Sequence, residues 1–319
     1  MCYAWCVKTP DTLLEAVRYF VDQDRCREFL AALRWPRGPV CPACGAVEPL
    51  FLQTRKLWKC RACKKQFSVK VGTIFEDSPI GLDKWLPALW MIVNAKNGVS
   101  SYEIARALGI TQKSAWFMMH RIRLAMQTGT YRRFGGEVEV DETFIGGRAR
   151  FMHKSRREKA IKGRGPMGKA AVMGLLERHG LDGHSTVTLR HVRNTRRRVL
   201  SPEIREHIEP GSEVFTDALP SYDALKGEYV HKVIDHAEAY VQGNVHTNGL
   251  ENFWSLLKRG IKGTYVSVEP FHLFRYLDEQ AYRFNTRKMK DAARFVRALA
   301  GIVGKRLTYQ HLTNAPVTT

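Results

Sequence analysis

Three features of the sequence predict a multidomain chain: a small zinc ribbon plus a helical helix-turn-helix region, followed by an α/β domain. Two C-x-x-C pairs, CPAC at Cys41–Cys44 and CRAC at Cys60–Cys63, stand fifteen residues apart. Two helical stretches meet at Gly109, with capping residues ahead of each. After Gly135-Gly136 the texture changes to strands alternating with helices. A length of 319 residues leaves room for about two domains of roughly 150 residues each.

Residues 1–35 are expected to be helical. Leu13, Leu14, Val17, Phe20 and Val21 recur at spacings of three and four between Asp11 and Leu33, and Pro36 and Pro39 end the pattern.

Residues 36–72 hold the cysteine pairs. The seven cysteines (Cys2, Cys6, Cys26, Cys41, Cys44, Cys60 and Cys63) cluster at one end of the chain, which argues against a disulfide framework spread through a secreted domain. Each C-x-x-C turn presents two sulfurs to one ion, and the spacing suits a tetrahedral structural zinc held by Cys41, Cys44, Cys60 and Cys63. The intervening FLQTRKLWK is rich in strand formers and reads as the ribbon's hairpin. A ribbon this small relies on its metal in place of a core. Cys2, Cys6 and Cys26 have no such pairing and read as ordinary small residues. Arg55, Lys56, Lys59, Arg61, Lys64 and Lys65 favour phosphate contacts.

Residues 78–132 read as helical. An apolar helix from Leu82 to Lys96 leads into SSYEIARALGITQKSAWFMMHRIRLAM. Ser100 and Glu103 have capping-box spacing, Gly109 permits a tight turn, and Thr111 caps a second helix. As a helix-turn-helix, this pair lays its second helix in a DNA major groove, with Gln112, Lys113 and Ser114 near base edges and Arg121 as a further DNA contact.

Charge agrees with a polyanionic partner. Lys plus Arg number 51 and Asp plus Glu 31, so the difference is +20, an excess that favours nucleic acid through counterion release. Hydrophobic residues at 44% and charged residues at 26% exclude a disordered, collagenous or membrane chain. The longest uncharged apolar run, Trp85 to Val93, is broken by Pro87 and falls far short of the ~20 residues a bilayer requires. No membrane partner and no secretory signal are legible, so a cytoplasmic, nucleoid-associated protein is expected.

From residue 135 onward, EVEVDETFI, KAAVMGLLE and HSTVTLRHV read as strands, Arg196 to Ile208 as a helix, SEVFTD as a strand, a short helix after Pro220, YVHKVID as a strand, and Thr247 to Arg259 as a long helix. A Lys/Arg-rich stretch, 148–169, reads as a basic loop, and residues 291–319 as a C-terminal helical tail. Asp141 ends the first of these strands, Asp217 ends the fourth, and Glu251 lies on the helix after the fifth. Strand ends of one sheet and an adjacent helix can bring three carboxylates onto a pair of divalent cations, which take hard oxygen ligands.

VEVDETFIGG around Asp141, VFTDALPSY around Asp217 and HTNGLENFWSLLKR around Glu251 resemble the DDE insertion-sequence transposases that carry an N-terminal zinc ribbon. The resemblance spans about residues 35 to 290, with ribbon, helix-turn-helix and carboxylates in that family's order, and the 34 positions from Asp217 to Glu251 resemble its second-to-third spacing. It implies a ribonuclease H-like catalytic domain over 135–290 with a mixed sheet, in which Asp141, Asp217 and Glu251 bind Mg or Mn. It also implies double-stranded DNA, at element ends and target, as partner and a homo-oligomer when active. Lys258, seven residues after Glu251 on the same helix side, matches the family's Glu-to-Lys signature and would position a phosphate. Some relatives use Asn as the third ligand. Asn248 lies one turn before Glu251 on the same face, so either could approach the metal; Glu251 is preferred because a third negative charge helps hold two dications, leaving Asn248 to contact a phosphate or to support the metal ligands from behind.

Lesser candidates surround these. Glu139 shares the Asp141 face by strand alternation, whereas Glu142 points the other way. His236 and His246 flank the last strand and helix, where a histidine can order a phosphate or water near the metals; both read first as structural. Tyr222, Phe253, Trp254 and Leu257 read as packing. Two rival readings stay open: a domesticated, non-catalytic DNA-binding regulator, and a structure-specific nuclease on the same core.

Overall fold

The computed structural model describes residues 9–127, 132–146, 153–160, 169–180, 182–217, 222, 227–234 and 246–314. In chain order the elements are α1 (Leu13–Tyr19), α2 (Gln23–Arg34), β1 (Leu50–Leu52), β2 (Leu57–Lys59), β3 (Gln66–Phe67), α3 (Leu82–Asn94), α4 (Ser101–Leu108) and α5 (Gln112–Met126). They continue as β4 (Glu137–Ile145), α6 (Lys154–Ala160), β5 (Ala170–Glu177), β6 (Thr186–Val192), α7 (Arg197–His207), β7 (Glu213–Asp217) and β8 (Val230–Ile234). The last are α8 (Asn248–Gly260), α9 (Leu273–Asn285), α10 (Asp291–Ala300) and α11 (Tyr309–Thr313). Two compact units result: the chain up to Thr128 together with Lys288 onward, and Gly129–Arg287. No helix among the described residues is long and apolar enough to cross a membrane.

In the first unit the N-terminal helix expected from Asp11 to Leu33 is two helices. The chain breaks because Asp22 caps a new start, its Oδ1 accepting from the Asp24 and Arg25 amides at 2.7 and 3.3 Å. The buried face also differs from the one periodicity suggested. Leu14 and Val21 are 58% and 70% exposed, while Ala16, Phe20, Cys26, Phe29 and Leu30 are buried. Cys26 is a structural thiol: burial pushes it up to about 12, and its Sγ donates to the Phe20 carbonyl. Cys2 and Cys6 lie outside the described residues.

The helix pair α4 and α5 has the expected local chemistry. Ser100 and Glu103 form a reciprocal capping box, Gly109 takes φ 59° as the left-handed cap of α4, and the Thr111 side chain accepts from the Ser114 amide. The C-terminal tail joins this unit's core. Phe295 of α10 is fully buried, with ring centroids 5.0 Å from Trp90, 5.8 Å from Phe20 and 6.2 Å from Phe29.

The second unit is a mixed five-stranded sheet in the order β6-β5-β4-β7-β8. β6, β5 and β4 are antiparallel neighbours, and β4, β7 and β8 run parallel. Even-numbered positions of β4 (Val138, Val140) join Leu200 and Ile204 of α7 in one core, while α8 and α9 cover the other face with Leu250, Phe253, Trp254, Leu257 and Leu277. Asp141 therefore does not end its strand: it is the fifth of nine residues, because β5 pairs with β4 as far as Ile145↔Ala170, beyond the reach of β7. The stretch read as a basic loop contains α6, exposed where it is described. Residues 148–152 and 161–168 of that stretch, the short helix expected after Pro220 apart from Tyr222, and His236 lie outside the described residues.

If the tail is part of the first core, Phe295→Ala should lower stability by about 3–5 kcal/mol, the usual loss for a buried Phe. Urea unfolding followed by tryptophan fluorescence measures it, and a change below 1 kcal/mol, about the level of a surface substitution, would mean the tail is peripheral.

Candidate functional sites

The four cysteines of the ribbon meet. Their sulfurs all lie within 4.8 Å of one another, with Cys41 to Cys63 at 3.7 Å and Cys44 to Cys60 at 3.6 Å. A tetrahedron with Zn–S bonds of about 2.3 Å has edges of about 3.8 Å, so these separations suit zinc and are far too long for disulfides. The Cys63 amide donates to Cys60 Sγ at 3.4 Å and draws that thiol down to about 6, towards the thiolate a metal needs.

On α5, Lys113 is exposed with its Nζ 4.9 Å from the Tyr309 ring centroid, Gln112 donates to Ser101 Oγ at 2.8 Å, and Ser114 is half-buried beside Thr111. Arg121 departs from the expectation. It is 4% exposed, its guanidinium donates to the Glu76 carbonyl, and it lies 5.8 Å from the Trp85 ring and 5.2 Å from that of Phe117. Position 121 falls on the inward face of α5, and this arginine braces the fold.

In the second unit, β4 and β7 pair in register as Glu137↔Glu213, Val138↔Val214 and Glu139↔Phe215. Carried on by two residues, that register sets Asp217 level with Asp141 on the same sheet face. The face is the one covered by α8, which carries Glu251. Asp141 is pushed above the ordinary carboxylate range, first by burial and then by the like charges of Asp217 and Glu251, against the pull of hydrogen bonds from Trp254 and the Glu142 amide. A carboxylate so crowded is one whose ionised form a bound cation would favour. The three do not form a tight cage. Among the described residues only the four cysteines and the trio Glu203, Glu206 and His207 bring all their ligand atoms within 4.8 Å of one another. A pair of cations about 3.5–4 Å apart calls for wider spacing than a single ion does. The second trio is already occupied by Arg190, whose Nε lies 3.8 Å from Glu203 and 3.1 Å from His207.

Asp141 is aimed by α8. Trp254 Nε1 donates to its Oδ2 at 2.8 Å, and the Glu142 amide donates to Oδ1 at 2.8 Å. The indole reaches the sheet only because the residue paired with Asp141 on β5 is Gly174. A Cβ there would sit 2.6 and 2.7 Å from two ring carbons of Trp254. Trp254, expected to be packing, both packs and orients.

Glu139, 1% exposed, holds the start of α8: its Oε2 accepts the Leu250 amide at 2.9 Å, a carboxylate at a helix N-terminus. Gly249 leaves it room, since a Cβ there would meet Oε2 at 2.8 Å. Oε1 accepts from Arg178 Nε at 2.9 Å, and Arg178 also engages Glu137 at 3.1 Å and His246 Nδ1 at 3.0 Å. His246 thus braces this network. Glu142, on the opposite face as alternation requires, accepts from the hydroxyl of buried Tyr222, and burial pushes it up to about 8. Asn248 and Glu251 are exposed along α8, and Lys258 is half-buried two turns beyond Glu251.

Arg178 and Gly174 escaped the sequence reading. Arg178 carried no signal, because its partners lie on other elements. Gly174 did carry one: a lone glycine inside an apolar strand marks a close approach of something to the backbone.

Comparison with known proteins gives two domain matches. Residues 133–285 match the ISXO2-like transposase domain and residues 21–66 a transposase zinc-ribbon domain. An uncharacterised transposase-like protein of Haemophilus influenzae is 33% identical over 109 residues, 34% of this chain and 88% of that protein. An uncharacterised protein in transposable element ISH50 of Halobacterium salinarum is 25% identical over 255 residues, 76% of this chain and 84% of that protein.

Two outcomes follow from this geometry. Purified protein should carry one zinc per chain by elemental analysis and Cys60→Ser should lose it, whereas full zinc retention in that variant would refute the four-sulfur site. Gly174→Ala should cost about 1–3 kcal/mol in chemical unfolding as the added methyl forces Trp254 off Asp141, and an unchanged midpoint would show that the indole has room to move.

Proposed function

Because this chain belongs to the ISXO2-like transposases with an N-terminal zinc ribbon, we propose that it cuts DNA at the ends of a mobile element and joins them to a target, using Asp141, Asp217 and Glu251. What supports this reading is the parallel pairing of β4 and β7 up to Glu139↔Phe215, a register that two residues further on sets Asp217 level with Asp141, under the helix that bears Glu251. The sheet order, antiparallel through β6, β5 and β4 and parallel through β7 and β8, supports a ribonuclease H-like core.

Mg²⁺ or Mn²⁺ held by the three carboxylates would supply Lewis acidity, polarising a phosphodiester and lowering the pKa of an attacking water or 3′-hydroxyl. The chain's own groups prepare that site. Trp254 and the Glu142 amide fix both oxygens of Asp141, so its orientation is set before substrate arrives. Glu139 fixes the start of α8 and with it the helix that presents Glu251. Lys258 positions a backbone phosphate, and Asn248, at the first turn of α8, contacts another. The ribbon and helix-turn-helix supply end recognition through Gln112, Lys113, Ser114 and the basic face of the ribbon, and joining two ends calls for at least two protomers.

The test is cleavage and strand transfer on DNA carrying the element ends, with Mg²⁺. Asp141→Asn, Asp217→Asn and Glu251→Gln should each lose about a thousandfold or more in rate, because a lost ligand removes several kcal/mol of transition-state stabilisation, while DNA binding persists. Asn248→Ala should keep measurable activity. Robust cleavage by Asp141→Asn would overturn the proposal, and an inactive Asn248→Ala beside an active Glu251→Gln would move the third ligand one turn along α8. Cleavage without joining would identify a nuclease, and binding without cleavage a regulator.

A further inference from the structure

α7 begins with a run of positive charge that no described residue answers. Arg196, Arg197 and Arg198 are exposed, and among the described residues none of them has an ion-pair partner. Arg205, two turns on, is by contrast held by Glu228 through two 2.7 Å hydrogen bonds. The first turn of α7 has no acidic residue and no side-chain cap, so three guanidinium groups crowd the positive end of the helix dipole. That is the reverse of the placement a free helix prefers, and an anion relieves it. A second observation points the same way. Ser201, 5% exposed, lines the same groove of about 490 Å³, and its buried Oγ has no hydrogen-bond partner among the described residues.

The register locates the groove. Val192, at the end of β6, pairs with Ala171 of β5, which pairs with Phe144 of β4. The four-residue connection from Val192 keeps the start of α7 at this end of the sheet, the end towards which β4 and β7 run, with α7 packed on the face opposite the one covered by α8. Successive helical residues diverge by about 100°, so three adjacent arginines cannot converge on one small anion. They suit a chain of phosphates passing the helix start.

We infer that the Arg196–Arg198 groove of the second unit binds the phosphodiester backbone of DNA, separately from the ribbon and helix-turn-helix. This rests on the transposase reading and adds to it a backbone contact on the opposite face of the sheet that carries the acidic site. The test uses the full chain and a labelled DNA duplex in EDTA, with binding followed by fluorescence anisotropy across a salt series. Replacing all three arginines with alanine should weaken binding and flatten the dependence of log K on log salt by about 0.9 per lost phosphate contact, up to about 2.7. The triple lysine variant should keep the slope, since point charges still neutralise phosphate. A readout free of mutation is arginine modification by phenylglyoxal, read by mass spectrometry: the duplex should slow reaction at 196–198 in the unaltered protein. Unchanged affinity and slope in the alanine variant, or no protection, overturns the groove while leaving the transposase reading intact. No duplex binding by the unaltered protein overturns both. Protection by inorganic phosphate as strong as that by the duplex, at matched ionic strength, makes this a small-anion site and overturns the DNA assignment.

Discussion

Glu139 joins two elements that the chain separates by 111 residues, and the candidate acidic site depends on that junction. Its carboxylate takes the Leu250 amide with one oxygen and Arg178 with the other, in surroundings that exclude water. A buried charge is tolerated only when paired and hydrogen-bonded, so Glu139, Arg178, Glu137 and His246 stand or fall together. Their product is positional. α8 is pinned at its first turn, its apolar face is laid on the sheet, and Trp254 and Glu251 arrive beside Asp141 as a consequence. Two glycines make this possible by being small: Gly249 where the carboxylate approaches the helix, and Gly174 where the indole lies on β5.

The first unit is built on other means. Its ribbon has three short strands and few buried side chains, so the four sulfurs do there what an apolar core does elsewhere. The helices around it gather on aromatic packing among Phe20, Phe29, Trp90 and Phe295, the last contributed from beyond the second unit in sequence. A chain that leaves a unit and returns to complete its core makes the folding of that unit wait on the whole chain, a contact of high sequence separation.

Arg121 and the three arginines at the start of α7 show how little residue type says about role. Both belong to a chain with a charge of +20. Arg121 spends its guanidinium on the Glu76 carbonyl and lies against aromatic rings, whereas Arg196, Arg197 and Arg198 remain in solvent at a helix start. What separates them is whether another part of the fold packs over them, and that depends on neighbours far away in sequence.

Local chemistry was legible in the sequence. The cysteine pairs, the capping box at Ser100 and Glu103, the turn at Gly109, the alternation of β4 and the two-faced pattern of α8 each depend on residues a few positions apart, and spacing alone encodes them. The structure decided what required elements to meet. Periodicity found helices in the first 35 residues but not which side they bury, because the break at Asp22 and the partners Trp90 and Phe295 set that face. It found Asp141 on a strand but placed it at the end, because strand length was fixed by β5 and not by the sequence of β4. Arg178 was invisible for the same reason. A side chain's role in a buried ionic network is a property of where other strands and helices put their charges, and only tertiary packing settles it.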